Sequence, residues 1–269
     1  MKIVASVLLL LLFVSGNSMA GFGTNITIYD GEGPSVEKED NEVEIGNVLG
    51  QVWDLEGAFL NAKTLTLVGG WNFQSGAQDP SRPANHYESG DIFIDVDGKV
   101  SYGTAISNRS GDGTLPVENT YGYEFVLDVD WLNETYSIVK LVPASKVYTT
   151  TAYFGSNQGA NPWLYGSGGE IIKTNLPLTW NYYSNVDVSG TGFLGMNGNN
   201  IHNAAVFDLT NFFNLFPGGT EFIMHFTMEC GNDNLMARGT NPVPEPATII
   251  ISLSTLFGSV GYLRRKKFF

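Results

Sequence analysis

The chain has 269 residues, of which 27 are acidic and 14 are basic, so its net charge at pH 7 is −13. Such an acidic surface repels nucleic acids and anionic lipids and suits cations and neutral glycans, which argues against DNA or RNA as a partner. The chain has one cysteine, Cys230, so no internal disulfide can form and the fold must depend on its hydrophobic core. We predict that Cys230 is a small buried apolar residue, with pairing between chains or a nucleophilic role as the alternatives.

The first twenty residues are predicted to be a signal peptide. Lys2 gives the start a positive charge, an apolar block follows from Val7 to Val14, and Ser18 and Ala20 place small residues three and one before a cleavage site. Removing residues 1–20 and 247–269 leaves a net charge of −18, because the two ends contain five basic and no acidic residues. Residues 21–240 are long enough for one extracellular domain with its own core.

Alternating apolar and polar residues predict two successive β-hairpins. The alternation is clearest over residues 121–131, and a second run at 135–142 is predicted to fold back on it. The earlier hairpin joins residues 91–96 to residues 99–102 through Asp97-Gly98, a dipeptide that suits a tight two-residue turn.

The remaining sequence patterns also indicate strands joined by loops. Residues 30–47 form an acidic stretch that is typical of a solvated loop, and residues 208–216 predict a short helix, a turn or a buried edge. Two further strands are predicted from apolar residues that share one face: Leu65, Leu67, Trp71 and Phe73, then Phe222, Met224, Phe226 and Met228. We therefore predict an all-β fold, an antiparallel β-sandwich that is jelly-roll-like.

The C-terminal end, residues 241–269, combines three elements in order. They are the motif Val243-Pro244-Glu245-Pro246, an uncharged run of 17 residues from Ala247 to Leu263, and the basic cluster Arg264-Arg265-Lys266-Lys267. As a helix the run would span about 25 Å, slightly less than the hydrocarbon core of a bilayer, so it is a marginal transmembrane helix. Basic residues after the run place that end in the cytoplasm and the preceding domain outside.

Together with the signal peptide, this arrangement resembles the PEP-CTERM sorting signal of exosortase substrates, and Pro244, Glu245 and Pro246 match its motif. The resemblance implies that a membrane-embedded exosortase-like cysteine transpeptidase cuts the tail while it is inserted in the inner membrane. It also implies release of the domain to the cell surface or to a matrix of exopolysaccharide, as in a biofilm. Residues 228–236 resemble uncharacterised proteins of the same class, which supplies no activity. A permanent single-pass anchor is the alternative.

Calcium is the one metal that the sequence suggests. Alternation places Asp91, Asp95 and Asp97 on one side of their strand, and Asp128 and Asp130 are aligned in the same way on theirs. Neighbouring strands can therefore assemble the hard oxygen ligands that calcium requires. The alternative is a set of solvated carboxylates on an exposed sheet face.

Glycan binding is the second hypothesis for a site. Trp163 and Tyr165 lie in a stretch that reads as an exposed loop, where aromatic rings can stack on sugars. The alternative is that Trp163 belongs to the core, as most tryptophans of a sandwich do.

These observations favour a non-enzymatic surface or matrix protein. The chain has no Gly-x-Ser-x-Gly motif, and we read His225 as a hydrogen-bonded surface residue in preference to a partner of Cys230. The alternative is a secreted carbohydrate-active enzyme of the glycosidase kind. An enzyme should show a cleft whose carboxylates have shifted pKa values, whereas a matrix protein should show a flat or shallow aromatic surface.

Overall fold

The computed structural model describes residues 21–28, 48–100, 115–150, 160–178 and 180–243. Within them the chain forms seventeen β-strands, one 3-10 turn at Gln51–Trp53 and one short helix, α1 (Thr210–Phe213). The strands are β1 (Thr24–Asn25), β2 (Thr27–Ile28), β3 (Leu55–Asn61), β4 (Thr64–Gly69), β5 (Ala77–Gln78), β6 (His86–Tyr87), β7 (Ile92–Asp95), β8 (Pro116–Glu118), β9 (Phe125–Asp130), β10 (Thr135–Lys140), β11 (Lys146–Tyr148), β12 (Leu164–Ser167), β13 (Glu170–Pro177), β14 (Trp180–Ser184), β15 (Asn203–Asp208), β16 (Glu221–Thr227) and β17 (Asn234–Thr240).

Two large sheets contain most of these strands. One has the order β1-β3-β4-β15-β14 and the other the order β13-β10-β9-β7-β16-β17-β2. Two smaller sheets have the orders β12-β11-β8 and β5-β6. Every strand pairing among the described residues is antiparallel, so the prediction of an all-β antiparallel fold is confirmed.

The main core lies between the two large sheets, as expected for a sandwich. Leu67 of β4 and Phe207 of β15 belong to the same buried cluster as Ile94 of β7, Leu127 of β9 and Phe226 of β16. The β9–β10 hairpin forms within its predicted range, and β4 and β16 overlap the two further predicted strands. Trp71 and Phe73 lie beyond the end of β4, and Met228 lies beyond the end of β16. Residues 208–216 contain the short helix α1, with Phe212 and Phe213 buried.

The seven-stranded sheet is covered on its second face as well. Phe93, Val126 and Val139 alternate with the main-core residues of their strands and form a second cluster with Val147 of the three-stranded sheet. Strands β7 and β9 are therefore apolar on both faces. This double burial explains why their alternation does not mark an exposed polar surface.

The predicted hairpin at Asp97-Gly98 is wrong in the part that the structure describes. Strand β7 ends at Asp95 and pairs with β9 and β16, while residues 99 and 100 belong to no strand. The Asp95 carboxylate accepts hydrogen bonds from the backbone N–H groups of Asp97, Gly98 and Val100. Because these N–H groups bond to a side chain, they do not pair with a neighbouring strand, and β7 ends at this point.

The two ends of the chain lie largely outside the described residues. The predicted signal peptide, Pro244, Glu245, Pro246, the predicted span at 247–263 and the basic cluster from Arg264 to Lys267 all fall there, and only residues 241–243 of the predicted sorting signal are described. Within the part of the chain that the structure describes, no helix has the length and apolar character needed to cross a membrane.

Candidate functional site

A polar groove of about 650 Å³ opens beside the β9–β10 hairpin, and we call it the acidic groove. Its apolar floor includes Phe73, Trp131 and Tyr136. Its carboxylates come from β9 and from the segment after β6, and hydroxyl and amide groups complete the lining. The polar residues are Gln74, Ser75, His86, Glu88, Ser89, Asp128, Asp130, Thr135, Ser137 and Asn175.

Asp128 and Asp130 project from β9 into this groove with opposite shifts in pKa. Partial burial and the charge of Asp130 raise the pKa of Asp128. Hydrogen bonds donated by the backbone and side-chain N–H groups of Asn133, at 3.0 and 2.7 Å, lower the pKa of Asp130. Two neighbouring carboxyl groups with separated pKa values are the arrangement expected of an acid and a base.

Asp91 lies immediately behind the groove and is buried. Its two carboxylate oxygens accept hydrogen bonds from the backbone N–H groups of Val129 at 2.8 Å and Tyr165 at 2.7 Å. Burial, and then the charge of Asp128, raise the pKa of Asp91 to about 8, and the two N–H bonds partly oppose that rise. Asp91 therefore links β9 to β12 through its hydrogen bonds, and it is itself a titratable group behind the groove.

The antiparallel register between β7 and β9 explains which acids meet. Ile92 pairs with Leu127 and Ile94 with Phe125, so Asp91 lies near Asp128 whereas the other end of β7 approaches residue 124. The five acids predicted to share a calcium site, Asp91, Asp95, Asp97, Asp128 and Asp130, are thus divided between the two ends of β7.

A second acidic cluster forms at the end of β7. Asp95, Asp97 and Glu124 each place a ligand atom within 4.8 Å of the others. Burial raises the pKa of Glu124 to about 7, with the charges of Asp95 and Asp97 adding to it. Lys99 Nζ lies 2.7 Å from Asp97 and supplies a competing positive charge. Sequence analysis missed Glu124, because only the register of β9 brings it here. Calcium binding by Asp95 and Asp97, as by the other three acids named from the sequence, stays a prediction.

The two residues predicted to bind glycans differ in their exposure. Trp163 is buried, so the expectation that it lies on an exposed loop is wrong, and among the described residues its indole N–H has no hydrogen-bond partner. Tyr165 lies in β12 and is partly exposed, and its hydroxyl donates to the carbonyl of Gly168. Partial burial raises the pKa of Tyr165, and the charges of Asp128 and Asp91 add to the rise, which places this ring near the acidic groove.

His225 is buried, so its assignment to the surface is also wrong. Its ring contacts Met236 Sδ at 3.2 Å and the ring of Tyr123 at 5.9 Å, and burial lowers its pKa to about 4. Cys230 is buried as predicted, and burial raises the pKa of its thiol to about 12. A neutral thiol is a poor nucleophile, and no described contact joins Cys230 to His225.

A buried contact between a carboxyl group and an imidazole could not be predicted from the sequence. Glu56 Oε1 lies 2.6 Å from His202 Nδ1 and accepts a hydrogen bond from Gln51 Nε2 at 2.8 Å. Glu56 and His202 are 146 positions apart in sequence, and no spacing motif connects them. Only the pairing of strands β3, β4 and β15 brings Glu56 and His202 together.

The fold defines an all-β protein with an acidic groove at one hairpin. Comparisons with protein-family models, with curated proteins and with solved structures gave no match. The function must therefore be argued from the groove and from the two ends of the sequence.

Proposed function

We propose that this chain is an exported, non-enzymatic surface or extracellular-matrix protein with a jelly-roll-like β-sandwich domain. It is processed at a PEP-CTERM-like C-terminal signal by an exosortase-like membrane transpeptidase. The observation that carries this proposal is the order of elements in the tail, where Pro244-Glu245-Pro246 precedes an uncharged run and a basic cluster. A signal peptide and a terminal membrane segment together suit a protein that is held at the inner membrane and then released.

The end of the folded domain is compatible with such processing. The side-chain amide of Asn241 donates to the carbonyls of Phe213, Phe216 and Pro217, each at 3.0 Å, so the domain is held closed up to this residue. Two residues later, Val243 is 65% exposed. A protease or transpeptidase therefore has access to the chain directly after a rigid boundary.

The delivery route is tested by intact mass and fractionation of the protein from its native host, with and without the transpeptidase. We expect loss of both ends and recovery in the surface or matrix fraction only when the enzyme is present. Retention of residues 247–269 in the membrane fraction in both strains would contradict the proposal and identify a permanent single-pass anchor.

We propose that the acidic groove binds extracellular polysaccharide. Its carboxylates, hydroxyls and amides match the hydroxyl groups of a glycan, and the largely buried side chains of Trp131 and Tyr136 line its floor. A carboxylate that accepts a sugar hydroxyl makes a charge-assisted hydrogen bond, worth about 1.5–3 kcal/mol. The partial exposure of Tyr165 near Asp128 extends the same surface.

The opposite pKa shifts of Asp128 and Asp130 favour a second candidate function, a carbohydrate-active enzyme. One experiment separates the two. Asp128→Asn is expected to weaken binding of the host polysaccharide about tenfold or more, whereas Glu170→Gln, which removes an exposed acid of β13 outside the groove, leaves it unchanged. Equal affinities of the wild-type protein and the two variants would exclude the acidic groove as the polysaccharide-binding site. If the wild-type protein shortens the polysaccharide and Asp128→Asn does not, the protein is a carbohydrate-active enzyme.

A further inference from the structure

A second cavity, of about 490 Å³, shares no lining residue with the acidic groove. It lies between the 3-10 turn Gln51–Trp53, the loop after β5, residues 196–199 and the turn after β16. We call it the Trp53 pocket. Its volume is in the range that small-molecule sites occupy in proteins.

Hydrogen bonds from side chains hold the walls of the Trp53 pocket in place. Asn232 makes two bonds with Val48, accepting from its N–H and donating to its carbonyl, both at 3.0 Å. Gln51 Oε1 accepts from the N–H of Met196 at 2.9 Å. These bonds join segments 184 and 145 residues apart, so the pocket is preformed and a ligand need not order its walls.

The pocket has an apolar and aromatic part. The ring of Trp53 meets the ring of Tyr87 edge to face at 5.9 Å, and Val52, Met196 and Cys230 add apolar surface beside polar side chains such as those of Asn197 and Asn199. At the mouth, Val48 is 53% exposed and Leu49 is 47% exposed. Two adjacent exposed aliphatic side chains beside an apolar cavity add nothing to the folded core, and they enlarge the surface available to an apolar ligand.

One cationic side chain, Arg82, lines this pocket. Asp79, the one acidic residue of the lining, directs Oδ1 to the N–H groups of Ser81 and Arg82 at 2.8 and 3.1 Å, so this oxygen fixes the loop. Bonds from Arg82 N–H to the Asp79 carbonyl and from Asn85 N–H to the Arg82 carbonyl hold the loop further. Among the described residues the Arg82 guanidinium forms no ion pair, so its positive charge is available at the rim, in the same lining as the negative charge of Asp79.

We infer that the Trp53 pocket binds a small molecule with an apolar acyl or aryl body and a single anionic head group. The body lies against Trp53, Tyr87 and Leu49, and the head group pairs with Arg82. Binding is non-covalent, because the Cys230 thiol in the wall stays protonated. This site is independent of polysaccharide binding in the acidic groove.

The test uses two fluorescent probes with the same ring system. 8-Anilinonaphthalene-1-sulfonate has the apolar body and an anionic head group, and N-phenyl-1-naphthylamine has the body alone. With the processed wild-type protein, we expect saturable binding of the sulfonate at one site and about tenfold weaker binding of the neutral probe. A tenfold difference equals about 1.4 kcal/mol.

Two substitutions assign the binding to this pocket. Arg82→Gln is expected to weaken the sulfonate about tenfold and leave the neutral probe unchanged, and Leu49→Ser is expected to weaken both probes several-fold. Both positions are exposed, so neither change should alter the fold. The matched controls are Arg238→Gln on β17 and Leu132→Ser at the β9–β10 turn, which lie outside the pocket and should have no effect.

Three results would overturn the inference. They are sulfonate binding that does not saturate, equal affinity for the two probes, and an effect of Arg238→Gln as large as that of Arg82→Gln. Polysaccharide binding by Arg82→Gln is expected to be normal, so failure at this site is distinguishable from failure at the acidic groove.

Discussion

Replacing Phe226 by alanine is expected to lower the free energy of unfolding by about 3–5 kcal/mol. The Phe226 ring is fully buried and lies between three other rings, with centroids 5.6 Å from Phe73, 5.9 Å from Trp131 and 6.4 Å from Trp71. Truncation would leave a cavity at the centre of the main core, which close-packed aromatic neighbours cannot fill by small movements. Urea unfolding followed by tryptophan fluorescence measures the change.

The effect should be large relative to the total stability, since a domain is typically stable by about 5–15 kcal/mol. No internal disulfide can compensate, because the chain has a single cysteine. Leu132→Ala is the control: Leu132 is 82% exposed, and the expected change is below about 0.5 kcal/mol. A loss below about 1 kcal/mol for Phe226→Ala would mean that the two large sheets are not packed around this ring.

The strands of this fold could be predicted where one residue in two is apolar over a long run. Strand β16 shows this best, because Phe222, Met224 and Phe226 occupy alternate positions and do face the core. The same rule failed for His225 on the opposite side of that strand. An alternating pattern predicts which residues share a face, and it does not say whether a third sheet covers the other face.

The candidate site could be predicted only in its components. Asp128 and Asp130 were recognisable because they occupy alternate positions of one strand. Their neighbours depend on register, which pairs Asp91 with the Asp128 end of β9 and Asp95 with the Glu124 end. A one-residue change in register would exchange the faces, so sequence alone does not determine such clusters. Loops that meet at the Trp53 pocket have no periodicity from which their positions could be inferred.

Between about pH 4 and 6.5 the lowered pKa of buried His225 makes the stability rise with pH. The acids with raised pKa values act in the opposite direction and lower the stability from about pH 4 to 8, with Asp91 the largest single contributor. Its pKa is about 8 in the folded protein and near 3.8 when exposed, so the folded state binds the proton more tightly. The stabilisation is complete below pH 4 and is lost as the pH rises through 8. A difference of this size corresponds to about 5–6 kcal/mol at most. Glu124, Asp128 and Glu229, whose pKa values are also raised, add slopes of the same sign.

Asp91→Asn separates the titration of this group from its hydrogen bonds. Asparagine has one acceptor oxygen, so either Val129 N–H or Tyr165 N–H loses its partner, at a cost of about 1–3 kcal/mol. The variant should therefore be less stable than wild type at pH 4, and the difference should shrink or reverse at pH 8 because the buried charge is absent. Urea midpoints measured at pH steps from 4 to 8 test this expectation. Asp187→Asn is the matched control, because hydrogen bonds from Ser189 lower the pKa of that exposed carboxyl, which therefore lies below this range. Parallel pH profiles for wild type and Asp91→Asn would show that Asp91 is ionised throughout, held by its two N–H bonds against the effect of burial.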